Sequence, residues 1–207
     1  MKSTRLIIAL CFGVSFAHAA ETSFNFDAAK PGSPPAGWLA TQTGDGSAKW
    51  TVERESTAPS APQVLKQSGN ADFPVCLATN VSFADVTLEV KFNPVKGQDD
   101  QAAGLVWRAK DALNYYDVRA NALEGNVRIY KFVDGKRTQF GGVKREVAVN
   151  RWHTLKLEAA GTTFKVWLNG EELFAAEDKT FTERGAVGLW TKADSETLFD
   201  DFKVLSR

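Results

Sequence analysis

Short segments in which every second residue is apolar recur along this chain, and this alternation restricts its possible folds more than any other feature. Between residues 85 and 92, four apolar side chains alternate with polar or charged ones. A period of two is typical of a β-strand with one buried and one solvated face. The same pattern occurs in residues 115–121, 126–130, 154–158 and 164–169. The sequence therefore predicts antiparallel β-structure with almost no helix.

Turn signals separate these segments. Asp134-Gly135 divides YKFV from KRTQF, and Asn169-Gly170 divides FKVWL from EELF. Asn, Asp and Gly tolerate positive φ angles, so both dipeptides favour two-residue hairpins. A dozen or so short strands must form sheets that cover each other, and the length exceeds the roughly 100 residues of an immunoglobulin-type sandwich. The predicted fold class is all-β: a two-layer antiparallel β-sandwich of the large jelly-roll type.

The first nineteen residues have the pattern of a secretory signal peptide. Lys2 and Arg5 precede an apolar stretch at residues 6–16, and a small-x-small cleavage pattern ends at Ala19. A membrane anchor is the alternative, but these eleven apolar residues are about half of the 20 that a transmembrane helix needs. The sequence predicts cleavage after Ala19, export to the periplasm or the medium, no membrane insertion, and a single domain at 20–207.

The composition excludes several classes of function. The chain has 25 Lys and Arg against 25 Asp and Glu, which argues against a nucleic-acid partner, because such binding depends on a basic surface. Removal of the signal peptide leaves Cys76 and His153 as the only residues of their types. An intrachain disulfide and a His/Cys zinc site are therefore excluded. Function must rest on carboxylates, guanidiniums, amides and aromatic rings.

Alternation also predicts a polar and aromatic sheet face opposite the core. In residues 115–121 the odd-numbered side chains point away from the core, and neighbouring segments extend the same face. Aromatic rings cover the apolar face of a sugar, and Arg, Asn and Asp bind its hydroxyls. The predicted ligand-binding residues are Arg108, Tyr115, Arg119, Asn121, Arg128, Tyr130, Trp190 and Lys192. The alternative is a solvated face whose Arg–Asp pairs serve solubility.

Several segments carry a family resemblance. They are FNFDAAKPGSPPAGW (24–38), DQAAGLVWRAKDALNYYDVRANALEGNVRIYKFVDGKRT (100–138), NRWHTLKLEAAGTTFKVWLNGEELF (150–174) and GAVGLWTKADSETLFDDFKV (185–204). The chain resembles the concanavalin A-like and laminin-G-like jelly rolls, and in particular the secreted bacterial domain of unknown function 1080, or 3-keto-disaccharide hydrolase domain. The resemblance covers 24–204 and implies a jelly roll that binds its ligand on the concave sheet. A fold of this kind serves several functions, so it does not select one.

The resemblance leaves three functions open. The first is a secreted carbohydrate-binding domain, the second is a hydrolase acting on 3-keto-disaccharides or related glycosides, and the third is a laminin-G-like protein-interaction module. Family 16 glycoside hydrolases share the fold and use a Glu-x-Asp-x-x-Glu strand motif, which is absent from this sequence. An enzyme would draw its acid and base from other carboxylates. The catalytic candidates are Asp117, Glu124, Asp194 and Glu196.

A structural calcium ion is the one cofactor that the resemblance implies, and none of the three functions requires a cofactor. Related jelly rolls often hold Ca²⁺ with oxygen ligands that join the first and last strands. Asp27 follows the first predicted strand and Asp201 belongs to an acidic pair inside the last one, so these two are the predicted metal ligands. An ion pair with Lys203 is the alternative for the acidic pair. The oligomeric state and the glycan are left open.

Overall fold

The computed structural model describes residues 21–207, so the predicted signal peptide and its cleavage site lie outside the described residues. Within this range all regular secondary structure is β-strand. The described part of the chain contains no helix that is long and apolar enough to cross a membrane. The prediction of an all-β fold is confirmed.

Fifteen strands in residues 21–207 form two antiparallel sheets. The strands are β1 (Glu21–Phe24), β2 (Trp38–Ser47), β3 (Trp50–Arg54), β4 (Gln63–Gln67), β5 (Asn70–Phe83), β6 (Val86–Lys96), β7 (Ala102–Ala109), β8 (Tyr115–Asn121), β9 (Asn126–Val133), β10 (Lys136–Lys144), β11 (His153–Ala160), β12 (Thr163–Leu168), β13 (Glu171–Glu177), β14 (Gly185–Trp190) and β15 (Glu196–Ser206). The eight-stranded sheet has the order β13-β12-β11-β6-β15-β4-β3, with β1 paired to β15. The seven-stranded sheet has the order β10-β9-β8-β7-β14-β5-β2.

The two predicted hairpins form at the turn dipeptides. Asp134-Gly135 joins β9 to β10, with φ angles of 49° and 76°, and Asn169-Gly170 joins β12 to β13, with φ angles of 52° and 83°. Two consecutive positive φ angles are what a type I′ turn requires. The first hairpin sets the register in which Arg137 pairs with Phe132.

The core lies between the sheets and contains the inward side chains of the alternating strands. Leu88 of β6 and Leu157 of β11 are fully buried on one side, and Leu105 of β7 and Val118 of β8 are fully buried on the other. Cys76 belongs to the same core, and burial raises the pKa of its thiol. A buried thiol in apolar surroundings is unreactive, so Cys76 serves only packing.

The seven-stranded sheet curves strongly, and its outer face is concave. The ring of Phe132 on β9 lies 5.0 Å from the ring of Phe73 on β5, and the Tyr115 hydroxyl on β8 lies 2.8 Å from Oγ1 of Thr43 on β2. In each pair the strands are four spacings apart, which is about 19 Å on a flat sheet. A curled sheet brings these side chains together, so they form a second hydrophobic cluster on the outer face. Its buried members are Val75, Leu77, Ala102, Val106, Ala109, Tyr115, Phe132 and Trp190.

Candidate functional site

Strands β8 and β9 bring several of the predicted ligand-binding residues together on the concave face. The register places Asp117 opposite Tyr130 and Arg119 opposite Arg128. The turn between the two strands contributes a carboxylate, and β10 contributes a further guanidinium. We call these residues the polar cluster: Asp117, Arg119, Glu124, Arg128, Tyr130 and Arg137.

Arg119 is the centre of the polar cluster. Its side chain is 1% exposed, and it donates hydrogen bonds to Glu124 at 2.8 Å, to Asn126 at 2.7 Å and to the Tyr130 hydroxyl at 3.1 Å. Glu124 also pairs with Arg128 at 3.3 Å. Burial alone would raise the pKa of Glu124, but hydrogen bonds from Asn126 and Arg119 and the charges of both arginines lower it to about 2. Glu124 is therefore an anion that orders two guanidiniums.

Asp117 has unused hydrogen-bonding capacity. Its side chain is 0% exposed, and neither carboxyl oxygen has a hydrogen-bond partner among residues 21–207. Within the same range, Nε of Arg119 and Nη1 of Arg137 are buried donors without an acceptor. Burial raises the pKa of Asp117 to about 8, although the charges of Arg137 and Arg119 act to lower it. Because buried polar groups are nearly always hydrogen-bonded, this part of the cluster suits water or the hydroxyls of a ligand.

Sequence reasoning missed Arg137. Its guanidinium lies 4.7 Å from the ring centre of Tyr130 and 4.8 Å from that of Phe73. Within the described chain no carboxylate forms an ion pair with it. The sequence did contain information on the position of Arg137. A two-residue turn at Asp134-Gly135 pairs Arg137 with Phe132, and Phe132 lies on the same face as Tyr130. The hairpin register alone could have placed Arg137 on the concave face.

The predicted residues Tyr115 and Trp190 lie on the same sheet face as the polar cluster, within the hydrophobic cluster. Tyr115 stacks on Phe132 at 4.5 Å, and Trp190 stacks on Phe73 at 5.9 Å. Nε1 of Trp190 donates a hydrogen bond to the Tyr115 hydroxyl at 3.3 Å. Both side chains are fully buried, so they support the face and offer no open ring surface to a ligand.

Arg108 lies away from the concave face, which corrects the prediction for this residue. Its guanidinium donates hydrogen bonds to the carbonyl oxygens of Ala84, Gly161 and Phe181, each at 2.7 Å, and to Asp85 at 3.2 Å. The φ angle of Arg108 is 49°, and the register between β14 and β7 shifts beside it. This irregular backbone breaks the alternation, so parity assigned the side chain to the wrong face. Arg108 instead joins three loops.

Asn121 and Lys192 meet at Asp100, on the rim of the concave face. Nζ of Lys192 lies 2.5 Å from Oδ2 of Asp100, and Nδ2 of Asn121 donates a hydrogen bond to Oδ1 of Asp100. Oδ1 of Asn121 accepts the backbone N–H of Glu124 at 2.9 Å. These contacts hold the β8–β9 turn against the rim, and Lys192 is the partly exposed member of the group.

The other two catalytic candidates lie at one end of the sandwich. Asp194 accepts the backbone N–H groups of residues 98–100, at distances of 2.6, 3.0 and 3.1 Å. Burial would raise the pKa of Asp194, but these backbone hydrogen bonds lower it. Glu196 forms ion pairs with Lys96 at 2.8 Å and Lys66 at 3.4 Å. Asp194 holds a loop in place and Glu196 joins neighbouring strands, and of the four candidates only Asp117 and Glu124 share the polar cluster.

The predicted calcium ligands already have partners in the protein. Asp27 accepts hydrogen bonds from Gln63 and Asn25, each at 3.1 Å, and Asp201 pairs with Lys91 at 2.8 Å. An ammonium group beside a carboxylate opposes a bound cation, so these two residues do not fit a shared calcium site. Between residues 21 and 207 no group of three or more His, Cys, Asp or Glu side chains is placed to hold a metal ion. Structural Ca²⁺ stays a prediction without an identified ligand set.

Comparison with known proteins places this chain among carbohydrate-related domains. The family model described as the 3-keto-alpha-glucoside-1,2-lyase-like domain matches residues 20–205. Levanase from Bacillus subtilis (strain 168) is 30% identical over 130 residues, which are 62% of this chain and 19% of levanase. The matched region is therefore a small part of that relative.

Two of the similar solved structures extend this comparison. The carbohydrate-binding module CBM66 from Bacillus subtilis is 26% identical with a TM-score of 0.67, over 81% of this chain and 94% of the module. Domain 4 of an extracellular arabinanase from Geobacillus stearothermophilus, solved in complex with arabinotriose, is 13% identical with a TM-score of 0.59, over 92% of this chain and 94% of that domain. The second likeness shows the fold alone. The predicted jelly roll is confirmed.

Proposed function

Because the chain belongs to the 3-keto-alpha-glucoside-1,2-lyase-like domain family and is a glycan-binding or glycoside-processing jelly-roll domain, we propose that it binds a glycan on its concave face. Asp117, Arg119 and Arg137 contact the sugar in this proposal. The observation that carries it is the group of buried acceptors and donors on these three side chains, which have no partner among residues 21–207.

The hydroxyls of a sugar match these unused groups. A hydroxyl donates one hydrogen bond and accepts others. Asp117 supplies acceptor oxygens, and the two arginines supply N–H donors. A buried polar group without a partner costs about 1–3 kcal/mol, so a ligand that pairs with these groups removes an existing penalty as it binds. Neighbouring hydroxyls suit the fixed fork of a guanidinium particularly well.

We propose that a ligand reaches Asp117 when Arg137 moves aside. Asp117 is fully buried, whereas Arg137 is partly exposed and rests on the rings of Phe73 and Tyr130. Moving the guanidinium aside breaks ring contacts worth about 0.5–1 kcal/mol each at exposed sites. We expect the ligand to enter beside Arg137 and then to accept a hydrogen bond from it.

The relatives provide the first probes. Levan is chosen because of the similarity to levanase, and arabinotriose because of the similarity to the arabinanase domain. α-Glucosides and their 3-keto forms are chosen because of the family description. We further propose that the domain meets its glycan after export to the periplasm or the medium, as residues 1–19 predict.

Isothermal titration calorimetry with these probes tests the site. The variant Asp117→Asn keeps the size of the side chain and removes its acidic group. Above pH 8, where Asp117 is ionised, we expect the variant to weaken binding by about tenfold or more, because one oxygen acceptor becomes an amide donor. Glu171→Gln is the matched control, since Glu171 lies in an exposed pair with Arg145. Equal affinities of wild type and Asp117→Asn would contradict the site, and failure of every probe to bind would contradict the function.

Glycoside processing is the second candidate function. The pKa values of Asp117 and Glu124, which precede and follow Arg119 in the sequence, shift in opposite directions, and this favours it. The pKa of Asp117 is raised by burial to about 8, whereas hydrogen bonds and the neighbouring arginines overcome burial and lower that of Glu124 to about 2. A carboxylate with a pKa near 8 is a stronger base than an ordinary one. In a 1,2-elimination, ionised Asp117 takes the proton from C2 of the sugar, the C1–O bond breaks and a C1–C2 double bond forms. Asp117 then returns the proton to the departing oxygen, and the arginines stabilise the transient negative charge.

Incubation with a 3-keto-α-glucoside tests this second candidate. Elimination gives an unsaturated keto-sugar, whereas hydrolysis gives a product heavier by one water, and mass spectrometry separates the two. We expect the unsaturated product, a rate that rises towards pH 8, and loss of turnover in Asp117→Asn. Binding of the glucoside without turnover would contradict processing and leave glycan binding in place.

A further inference from the structure

A cavity in the described part of the chain lies outside the polar cluster, at one end of the sandwich. It has a volume of about 490 Å³ and lies between the β4–β5 turn and the β6–β7 loop. Ligand sites typically enclose about 300–1,000 Å³, so the cavity is large enough for a small ligand. We call it the end groove, and its lining residues are Ser68, Gly69, Asn70, Lys96, Gly97, Gln98, Asp194 and Glu196.

The lining of the end groove suits an uncharged polar ligand. The side chains of Ser68, Asn70 and Gln98 have no hydrogen-bond partner within residues 21–207. They offer one hydroxyl and two amides, which donate and accept hydrogen bonds without a net charge. The charged side chains already have partners, because Glu196 pairs with Lys96 at 2.8 Å and Asp194 accepts three backbone N–H groups.

Both walls of the end groove are held in place by the chain itself. The carboxylate of Asp194 accepts three backbone N–H groups of residues 98–100 and so fixes the β6–β7 loop. Gln67 fixes the β4–β5 turn, because its Nε2 donates hydrogen bonds to the carbonyl oxygens of Ser195 at 2.8 Å and Gly69 at 3.1 Å. A preformed groove avoids the entropic cost of ordering its loops when a ligand binds.

The end groove is adjacent to the rim of the concave face. The backbone N–H of Asp100 bonds to Asp194 in the groove, and the Asp100 carboxylate bonds to Asn121 and Lys192 on the rim. Asn121 lies four residues along β8 from Asp117, which is about 13 Å of strand. A ligand that reaches both places must therefore be longer than one sugar ring.

From this placement we infer that the end groove is a distal subsite, in which Asn70 and Gln98 bind uncharged sugar units of an oligosaccharide whose first unit lies at Asp117. The inference rests on the proposed function and extends it. It assigns the chain a preference for oligosaccharides over single sugars and names the residues that produce it.

A length series tests this subsite. The probes are fructo-oligosaccharides and gluco-oligosaccharides of two to six units, titrated calorimetrically into the full domain. We expect affinity to rise with length, and the double variant Asn70→Ala/Gln98→Ala to lose about tenfold for the longest bound probe, which corresponds to one or two hydrogen bonds. The shortest bound probe should keep its affinity. Asn80→Ala is the control, because Asn80 is an exposed amide further along β5.

The outcomes separate the subsite from the proposed function. Equal affinity for all lengths, or an unchanged affinity of the double variant for the longest probe, overturns the subsite while concave-face binding stands. An equal loss for short and long probes also overturns it, because that pattern indicates a general disturbance. Lack of binding at every length overturns both proposals. Unchanged melting temperatures of the variants would exclude misfolding as the cause of a loss.

Discussion

Arg119 and Glu124 form an ion pair of 2.8 Å across the β8–β9 turn, with the guanidinium 1% exposed and the carboxylate 33% exposed. The buried member of the pair cannot lose its charge, because a guanidinium stays protonated in proteins. Glu124 compensates that charge and also binds Arg128. The pair therefore links the stability of the turn to the order of the polar cluster.

We predict that Glu124→Gln destabilises the fold by about 2 kcal/mol, the usual scale for a hydrogen bond to a charged group. The glutamine amide keeps the size of the side chain but leaves Arg119 without a compensating anion. Urea unfolding measures the change in the free energy of unfolding. Glu171→Gln, in an exposed ion pair with Arg145, should change it by no more than about 0.5 kcal/mol. Equal effects of the two variants would show that Glu124 has no special role.

The buried carboxyl of Asp117 predicts an unusual dependence of stability on pH. Its pKa rises from 3.8 to about 8 on folding, so the folded state binds more protons than the unfolded state between these values. The contribution of Asp117 is therefore most favourable below pH 3.8 and declines as pH rises towards 8, by about 1.4 kcal/mol per pH unit. The contribution of Glu124 to stability has the opposite sign and changes only below about pH 4.5. Its pKa is lowered to about 2, because hydrogen bonds and arginine charges exceed the effect of burial, so its contribution is lost as pH falls.

Unfolding free energies measured at pH 5, 6, 7 and 8 test this dependence. Wild type should lose stability along the series relative to Asp117→Asn, which has no titrating group at this position. Parallel curves for the two proteins would mean that Asp117 does not hold its proton in the folded state.

Local patterns account for the part of the site that lies on regular strands. Alternation along β8 and β9 correctly predicts that Arg119 and Arg128 face away from the core, because each residue of a straight strand reverses the side-chain direction. The same rule fails at Arg108, where a positive φ angle interrupts β7. It also does not explain the acidic pair in β15, where the register shifts between Asp200 and Lys203. Irregular backbone of this kind depends on contacts between strands that the sequence pattern does not reveal.

The curvature of the sheet is the other property that the alternation of apolar and polar residues does not predict. The outward residues of a flat sheet would be exposed, and the sequence therefore suggested that Tyr115 and Trp190 form an open aromatic surface. The sheet curls until Tyr115 reaches Thr43 four strands away, and this buries both rings. The same curling buries Asp117, which explains why its unusual pKa could not be predicted from its neighbours in the sequence.

The corrected position of Arg108 predicts a loss of stability without a direct loss of ligand contacts. Arg108→Lys keeps the positive charge but cannot bond at once to Ala84, Gly161 and Phe181, because a guanidinium spreads its donors over a rigid plane. We expect a loss of about 3 kcal/mol in urea unfolding. Glycan affinity, measured where the variant is fully folded, should match that of wild type. A weaker affinity at full folding would return Arg108 to the binding site.

The pattern of residues 1–19 predicts the residue at which the mature protein begins. Expression of the full chain in a bacterium with an intact secretion system should give an exported protein that begins at Ala20, because cleavage follows Ala19. N-terminal sequencing of the periplasmic and medium fractions measures this end. Ala19→Arg, which removes the small residue at the cleavage site, should retain the uncleaved precursor. A cytoplasmic protein that keeps Met1 would contradict the export prediction.

Arg137 offers a way to separate binding from folding. It has ring contacts and no carboxylate partner in the described chain, so Arg137→Met, which keeps an apolar side chain on Phe73 and Tyr130, should change stability by less than about 1 kcal/mol. We expect glycan affinity to fall about tenfold, because the ligand loses a charged donor. The pKa of Asp117 should rise further, since the charge of Arg137 lowers it in the wild type, and NMR titration of the carboxyl carbon measures that rise. Arg145→Met, at an exposed ion pair, is the control, and an Arg137→Met variant with wild-type affinity would exclude Arg137 from the site.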